Sequence, residues 1–214
     1  RSEQEIMDLI LSVAKSDSRI LAAYLKGSRT NPNVPKDVYQ DFDLMYVVTE
    51  TDFSGNPAWL DVFGPRILPQ EQDDDFGYGD RFGLRSNYQQ LYSWLLLLED
   101  GNRIDLGVET VEHMQQGCTR NKLFLPLLDK IGCLPKLPPP SDEDFHVKPP
   151  TASQFHGCCN EFFWSLCDVA KGIARNELPF AMTTYHTQTR PMLEQMLAGT
   201  WAVHRFFRLL REIQ

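Results

Sequence analysis

The sequence predicts an α+β protein, with a sheet in its first part and helices in its second. Three observations carry this reading. Runs rich in β-branched and aromatic residues, Ile20-Leu21-Ala22-Ala23-Tyr24-Leu25 and Phe42-Asp43-Leu44-Met45-Tyr46-Val47-Val48, are bounded by Gly, Ser and Asp. Asp100-Gly101 joins an apolar run from Leu91 to Glu99 to Arg103-Ile104-Asp105-Leu106-Gly107-Val108, the signature of a β-hairpin. Beyond Pro149-Pro150, Phe155, Cys158, Cys159, Phe162, Leu166, Val169, Ala170 and Ile173 fall at helical spacing.

In chain order, Ser2 and Glu5 form a capping box, and Ile6, Leu9, Ile10, Val13 and Ala14 lie on one face of the first helix. Ser16-Asp17-Ser18 ends it. The strand from Ile20 hands over to a turn at Gly27-Ser28, and the prolines and asparagines of Thr30 to Asp37 forbid a regular element there. Asn56 and Pro57 read as the start of a short helix closed by Gly64-Pro65, with Trp59, Leu60 and Phe63 for packing. Gln70 to Asp80, which contains Asp73-Asp74-Asp75, reads as a solvated acidic loop. Thr110 to Gln116 makes a short helix stopped by Gly117, and Leu123 to Leu128 is a further short apolar stretch. From Leu134 to Pro150 the prolines surround Ser141-Asp142-Glu143-Asp144, the composition of a semi-rigid linker. Thr151 and Gln154 offer a second capping box, Pro179 and Pro191 are expected to break the later helices, and Trp201, Phe206, Leu209 and Leu210 supply the last apolar face.

The 214 residues suffice for one large domain or two small ones. A net charge of −8 argues against a general nucleic-acid binder and suits a cationic small molecule. No apolar run is long enough to span a bilayer, and Arg1-Ser2-Glu3-Gln4-Glu5 has no signal-peptide features, so a cytoplasmic protein is expected. Cys118, Cys133, Cys158, Cys159 and Cys167 are odd in number and lack a C-x-x-C pair, which suits reduced thiols. His113, His146, His156, His186 and His204 show no ligand spacing. The chain starts without Met and ends inside an apparent helix, as a piece of a longer chain would.

The chemistry concentrates on three acids. Side chains alternate along a strand, so Asp41 and Asp43 point one way while Phe42, Leu44, Tyr46 and Val48 point the other. Like charges at that spacing repel, and a divalent ion removes the cost; hard oxygen ligands favour Mg²⁺. An isolated D-x-D reads better as an Asx turn opening a strand. Gly27-Ser28 before the pair and Asp105 after it shift the weight toward a site, with Asp105 completing a triad if its strand neighbours the first.

Several blocks together are more particular. Gly27-Ser28-Arg29, Asp41-Phe42-Asp43, Asp100-Gly101-Asn102-Arg103-Ile104-Asp105-Leu106, the Ser141-Asp142-Glu143-Asp144 linker, Asn160-Glu161-Phe162-Phe163-Trp164 and Val169-Ala170-Lys171-Gly172 resemble the aminoglycoside 6-adenylyltransferases. These streptomycin-modifying enzymes belong to the DNA polymerase β-like nucleotidyltransferase superfamily. The resemblance runs over essentially the whole chain, and family members continue with more C-terminal sequence, so part of the acceptor wall is expected beyond these residues.

The resemblance implies a nucleotidyltransferase catalytic domain with a mixed sheet over residues 1–134, a linker over 135–150 and a helical domain over 151–214, with the site between the domains. It implies ATP as co-substrate, Mg²⁺, and transfer of AMP to a hydroxyl of streptomycin, at position 6, with release of pyrophosphate. Asp41, Asp43 and Asp105 are then the catalytic and metal residues, Asp105 as ligand first and base second. Gly27 and Ser28, with Arg29 in support or in a structural ion pair, hold phosphates; Lys171 closes on the triphosphate, or is an ordinary exposed lysine. Glu161 meets the cationic acceptor, whose guanidinium groups pair with carboxylates. A monomer is expected, with no nucleic-acid or membrane partner. Two other readings remain: the same chemistry on another acceptor, and a nucleotide-binding module without turnover.

Overall fold

The computed structural model describes residues 1–52, 57–71, 87–117 and 122–212, of which 203–212 are described as backbone alone. Asn56, the Asp73-Asp74-Asp75 stretch, Cys118 and the side chains of His204, Phe206, Leu209 and Leu210 lie outside the described residues. The chain divides into two compact units, Arg1–Asp144 and Phe145–Gln214.

The first unit is built on a six-stranded sheet. Its strands are β1 (Ile20–Lys26), β2 (Phe42–Val48), β3 (Arg66–Glu71), β4 (Leu91–Leu98), β5 (Arg103–Thr110) and β6 (Phe124–Asp129), in the order β3-β4-β5-β2-β1-β6. Pairing is antiparallel except between β2 and β5, which run parallel, so the sheet is mixed. Alternation decides the two faces. On one, Leu25, Phe42, Leu44, Tyr46, Trp94, Leu96, Ile104 and Leu106 pack against Ile6, Ile10, Val13 and Ala14 of α1 (Glu3–Ser16) and against Leu60 and Phe63 of a 3₁₀ turn. Each such large side chain contributes about 1.5–3 kcal/mol on burial. The Tyr46 hydroxyl is satisfied in this core by donating to the Ile10 carbonyl at 2.8 Å.

The other face carries a smaller cluster, Ala22, Tyr24, Met45, Val47 and Phe124, covered by Met114 of α2 (Val111–Gly117). Asp43 and Asp105, register partners at the starts of β2 and β5, fall on this same face by alternation. A side chain at Gly107 would run into the Met45 sulfur, which closes the face there.

Local signals explain the ends. Ser2 and Glu5 form the expected capping box on α1, and Asp100-Gly101 makes the β4–β5 turn, with Gly101 at φ 83°. β3 and β6 were not legible as strands; both lie at sheet edges and contain Pro69 and Pro126, residues that only an edge tolerates. The short helix expected at Pro57 is a 3₁₀ turn.

The second unit is helical: α3 (Ala152–Ala174), α4 (Leu178–Thr184) and α5 (Arg190–Glu212). Thr151 and Gln154 cap α3 reciprocally, as the spacing predicts. Its buried seam differs from the expected one. Ser165, Val169 and Gly172 are buried, whereas Leu166, Ala170 and Ile173 are exposed. Small residues win the seam because α4 approaches closely: a methyl on Gly172 would meet Ala181 Cβ at 2.9 Å. The Thr189 hydroxyl donates to Ser165 Oγ at 3.1 Å, and the Ser165 hydroxyl donates to the Glu161 carbonyl at 2.8 Å, so both buried hydroxyls are satisfied. Pro179 sits in the first turn of α4, where its missing N–H costs nothing. Pro191 does not end a helix, contrary to expectation, because a π-turn over Tyr185–Thr189 absorbs it and the helical path runs on into α5.

Among the described residues, no helix is long and apolar enough to cross a membrane. Cys133, Cys158, Cys159 and Cys167 are free thiols.

Candidate active site

The three acids lie at the end of the sheet where β2 and β5 begin. Asp43 and Asp105 are direct register partners across the parallel β2–β5 pair. Asp41 lies just before β2 and reaches the same place through Arg103. The Arg103 guanidinium grips Asp105 with two bonds, Nε to Oδ1 at 2.7 Å and Nη2 to Oδ2 at 2.8 Å. Its Nη1 lies 3.5 Å from Asp41 Oδ2.

Burial pushes the Asp43 carboxyl above its ordinary pKa, and Asp105 and Asp41 add repulsion against the help of Lys26 and Arg103. Asp41 is raised for the same first reason, with Arg103 opposing and Asp105 adding to it. Burial is thus the largest cost of charging either carboxyl, and for Asp41 the pull of Arg103 outranks the repulsion of Asp105. Backbone geometry supports the crowding: Gly27 has φ 75°, and a side chain there would overlap the Asp43 carboxylate.

Ser28 follows on the exposed start of a 3₁₀ turn, Ser28–Thr30, where its carbonyl accepts from the Asn31 N–H at 3.1 Å. Arg29 turns inward. Its side chain is 7% exposed, stacks on Phe42 at 3.7 Å from the ring centroid, and pairs with Glu3 at 3.1 Å. It also donates to the carbonyls of Gln40 and Asp41. Arg29 thus fastens the Gly27 turn to the residues that open β2. Glu161 and Lys171 belong to α3 in the second unit; both are exposed, and Lys171 pairs with Asp168 at 2.8 Å.

Among the described residues no group of three His, Cys, Asp or Glu side chains stands arranged to hold a metal ion. The donor set nevertheless fits a hard divalent cation. It consists of carboxylates on one sheet face, with raised pKa values on Asp41 and Asp43, and a cationic group already lies across two of the three acids.

Sequence reasoning assigned Arg103 no role, although its place two residues before Asp105 on a strand put both side chains on one face. It also passed over Glu109, 3% exposed, which accepts from the Tyr24 hydroxyl and lies 2.7 Å from His113 Nδ1 farther along that face. The i,i+4 spacing of Glu109 and His113 carried no signal because it straddles a strand end and a helix start.

Comparison with known proteins adds to this geometry. The streptomycin adenylyltransferase family model matches residues 1–209. An aminoglycoside 6-adenylyltransferase of Bacillus subtilis (strain 168) is 39% identical over 92% of this chain and 68% of its own length. One of Campylobacter jejuni is 38% identical over 97% of this chain and 70% of its own, and one of Staphylococcus aureus is 31% identical over 97% and 72%. A crystal structure of an aminoglycoside 6-adenyltransferase from Bacillus subtilis aligns over 93% of this chain and 67% of that one, with 32% identity and a TM-score of 0.49. By its sequence from the first helix into the last, the chain belongs to the streptomycin adenylyltransferase family.

Proposed function

We propose that this protein adenylylates an aminoglycoside, with streptomycin as acceptor and ATP as donor, and thereby confers resistance. The observation that carries the reading is the convergence of Asp41, Asp43 and Asp105 beside the Gly27-Ser28 turn, in a chain of this family. The acceptor hydroxyl attacks the α-phosphorus of ATP; the new P–O bond forms as the bond to pyrophosphate breaks, and the hydroxyl's proton leaves to a carboxylate or to water.

Asp41, Asp43 and Asp105 would hold Mg²⁺, which when bound supplies charge stabilisation to the oxygens of the phosphoryl group. The remaining work belongs to the chain itself. The positive φ and bare α-carbon of Gly27 let a phosphate approach the backbone, and the exposed Ser28 hydroxyl is free to turn toward it. Arg29 holds that turn and the start of β2 in one frame. Glu161 is the proposed partner of an acceptor guanidinium, and Lys171 of the triphosphate. The chain's net charge of −8 favours encounter with a polycation.

Pyrophosphate release from Mg-ATP, with and without streptomycin, tests the reading alongside D43N. Streptomycin-dependent release that D43N abolishes is the expected result. Release only with another aminoglycoside overturns the acceptor, and no release with any acceptor overturns the reaction.

A further inference from the structure

Arg103 stands where a metal-binding triad should be open. Its fork occupies both oxygens of Asp105, and its third nitrogen faces Asp41, so the acids of the proposed metal site are already partly neutralised. A guanidinium and a divalent cation cannot share those oxygens at full strength, because each raises the electrostatic cost of the other. Yet Arg103 is not locked in place. Its side chain is 44% exposed, and it opens β5 directly after the Asp100-Gly101-Asn102 turn, next to solvent. The guanidinium is reachable from solvent, so its ion pairs compete with water and can be exchanged for contacts to another partner.

Arg29 makes the contrast clear. Its side chain is 7% exposed and held by Glu3, the Phe42 ring and carbonyls at Gln40 and Asp41, so it has no freedom to leave. Lys26, register partner of Asp43, is exposed and adds positive charge nearby without bonding to the triad. Of these cations, Arg103 is the one that touches the triad and is also exposed.

We infer that Arg103 is an exchangeable counter-ion: it neutralises the triad in the empty protein, yields Asp105 and Asp41 to the incoming metal, and transfers its own fork to the phosphates of the nucleotide. The inference rests on the metal site proposed above. A guanidinium suits this exchange because its paired donors match phosphate oxygens as well as they match a carboxylate.

The exchange predicts opposite signs in two calorimetric titrations of R103Q. Mn²⁺ alone should bind R103Q about tenfold more tightly than wild type, because the competitor is gone. The Mn²⁺ complex of an ATP analogue with a methylene α,β-bridge should bind R103Q about tenfold more weakly, because the phosphate ligand is gone. K26Q controls for bulk charge, and should change Mn²⁺ affinity less than about threefold. Equal Mn²⁺ affinity in wild type and R103Q overturns the inference, as does equal tightening in K26Q and R103Q, or an R103Q effect of the same sign in both titrations. If neither wild type, R103Q nor K26Q binds Mn²⁺ at millimolar concentration, the metal site itself fails, and the exchange with it.

Discussion

Asp43 and Asp105 face each other across adjacent parallel strands, at the end of the sheet where β2 and β5 begin. Side chains opposite each other on neighbouring strands have Cβ atoms about 5 Å apart, where like charges destabilise. The fold therefore keeps an electrostatic cost at this point, and the cost is removable by substitution.

The first prediction follows from the sign of that cost. Because the Asp43 carboxyl is raised, its charged form is penalised in the fold; the penalty is absent below the ordinary aspartate pKa and is complete once pH has risen through the folded value. D43N should raise the melting midpoint of the metal-free protein by about 2–4 °C at pH 7.5, corresponding to about 1 kcal/mol, and lose that gain below about pH 4. The same substitution should abolish turnover. A lower midpoint in D43N at pH 7.5 would show that Asp43 is stabilising as it stands.

Gly27 combines a left-handed backbone with the carboxylate of Asp43 against its α-carbon. G27A should cost about 1–3 kcal/mol in urea denaturation and at least tenfold in kcat/KM, since the residue that must move is Asp43, a proposed metal-binding carboxylate. Activity that survives while stability falls would separate the turn from the chemistry.

Removing the Arg29 guanidinium leaves the Gln40 and Asp41 carbonyls without its donors and Glu3 without this partner. R29A should destabilise by about 2–3 kcal/mol, and R29K should recover less than half, because an ammonium cannot span both carbonyls and the Phe42 face. Full recovery in R29K, measured by urea denaturation, would reduce the role of Arg29 to charge alone.

Asp129 closes the turn after β6. Burial works to raise its carboxyl, but the N–H groups of Leu134, Cys133, Ile131 and Gly132 outweigh it and hold the group below its usual range. Its stabilisation is present above the ordinary aspartate pKa of about 3.9 and lost as pH falls through the lower folded value. The stability difference between wild type and D129A should therefore be constant at pH 6–8 and shrink as the solution is acidified below about pH 4. A difference independent of pH would assign the effect to the turn's packing.

The exposed Glu161 provides the test of the acceptor assignment. E161Q should raise the KM for streptomycin about tenfold, leave kcat within about twofold and leave the melting midpoint unchanged. Unchanged acceptor kinetics would remove Glu161 from the acceptor site.

Much of the fold was written locally. The capping boxes at Ser2 and Thr151, the Asp100-Gly101 turn and the alternation of Phe42, Leu44 and Tyr46 are interactions between near neighbours, so spacing alone exposes them. Edge strands β3 and β6 were not legible, because Pro69 and Pro126 erase the pattern and only pairing with β4 and β1 makes those segments strands. The buried seam of α3 was misplaced because apolar spacing favours Leu166 and Ile173, whereas close helix approach selects Ser165 and Gly172.

By itself the sequence determined the class of the fold and the family to which it belongs, and it singled out the acids proposed to carry the chemistry, since each resides in residue types at fixed spacing. The tertiary structure alone decided that Asp105 lies opposite Asp43, that Arg29 is buried under the turn, and that Arg103 spans Asp105 and Asp41. Those relationships join residues far apart in the chain, and strand order and register, which no local pattern encodes, bring them together.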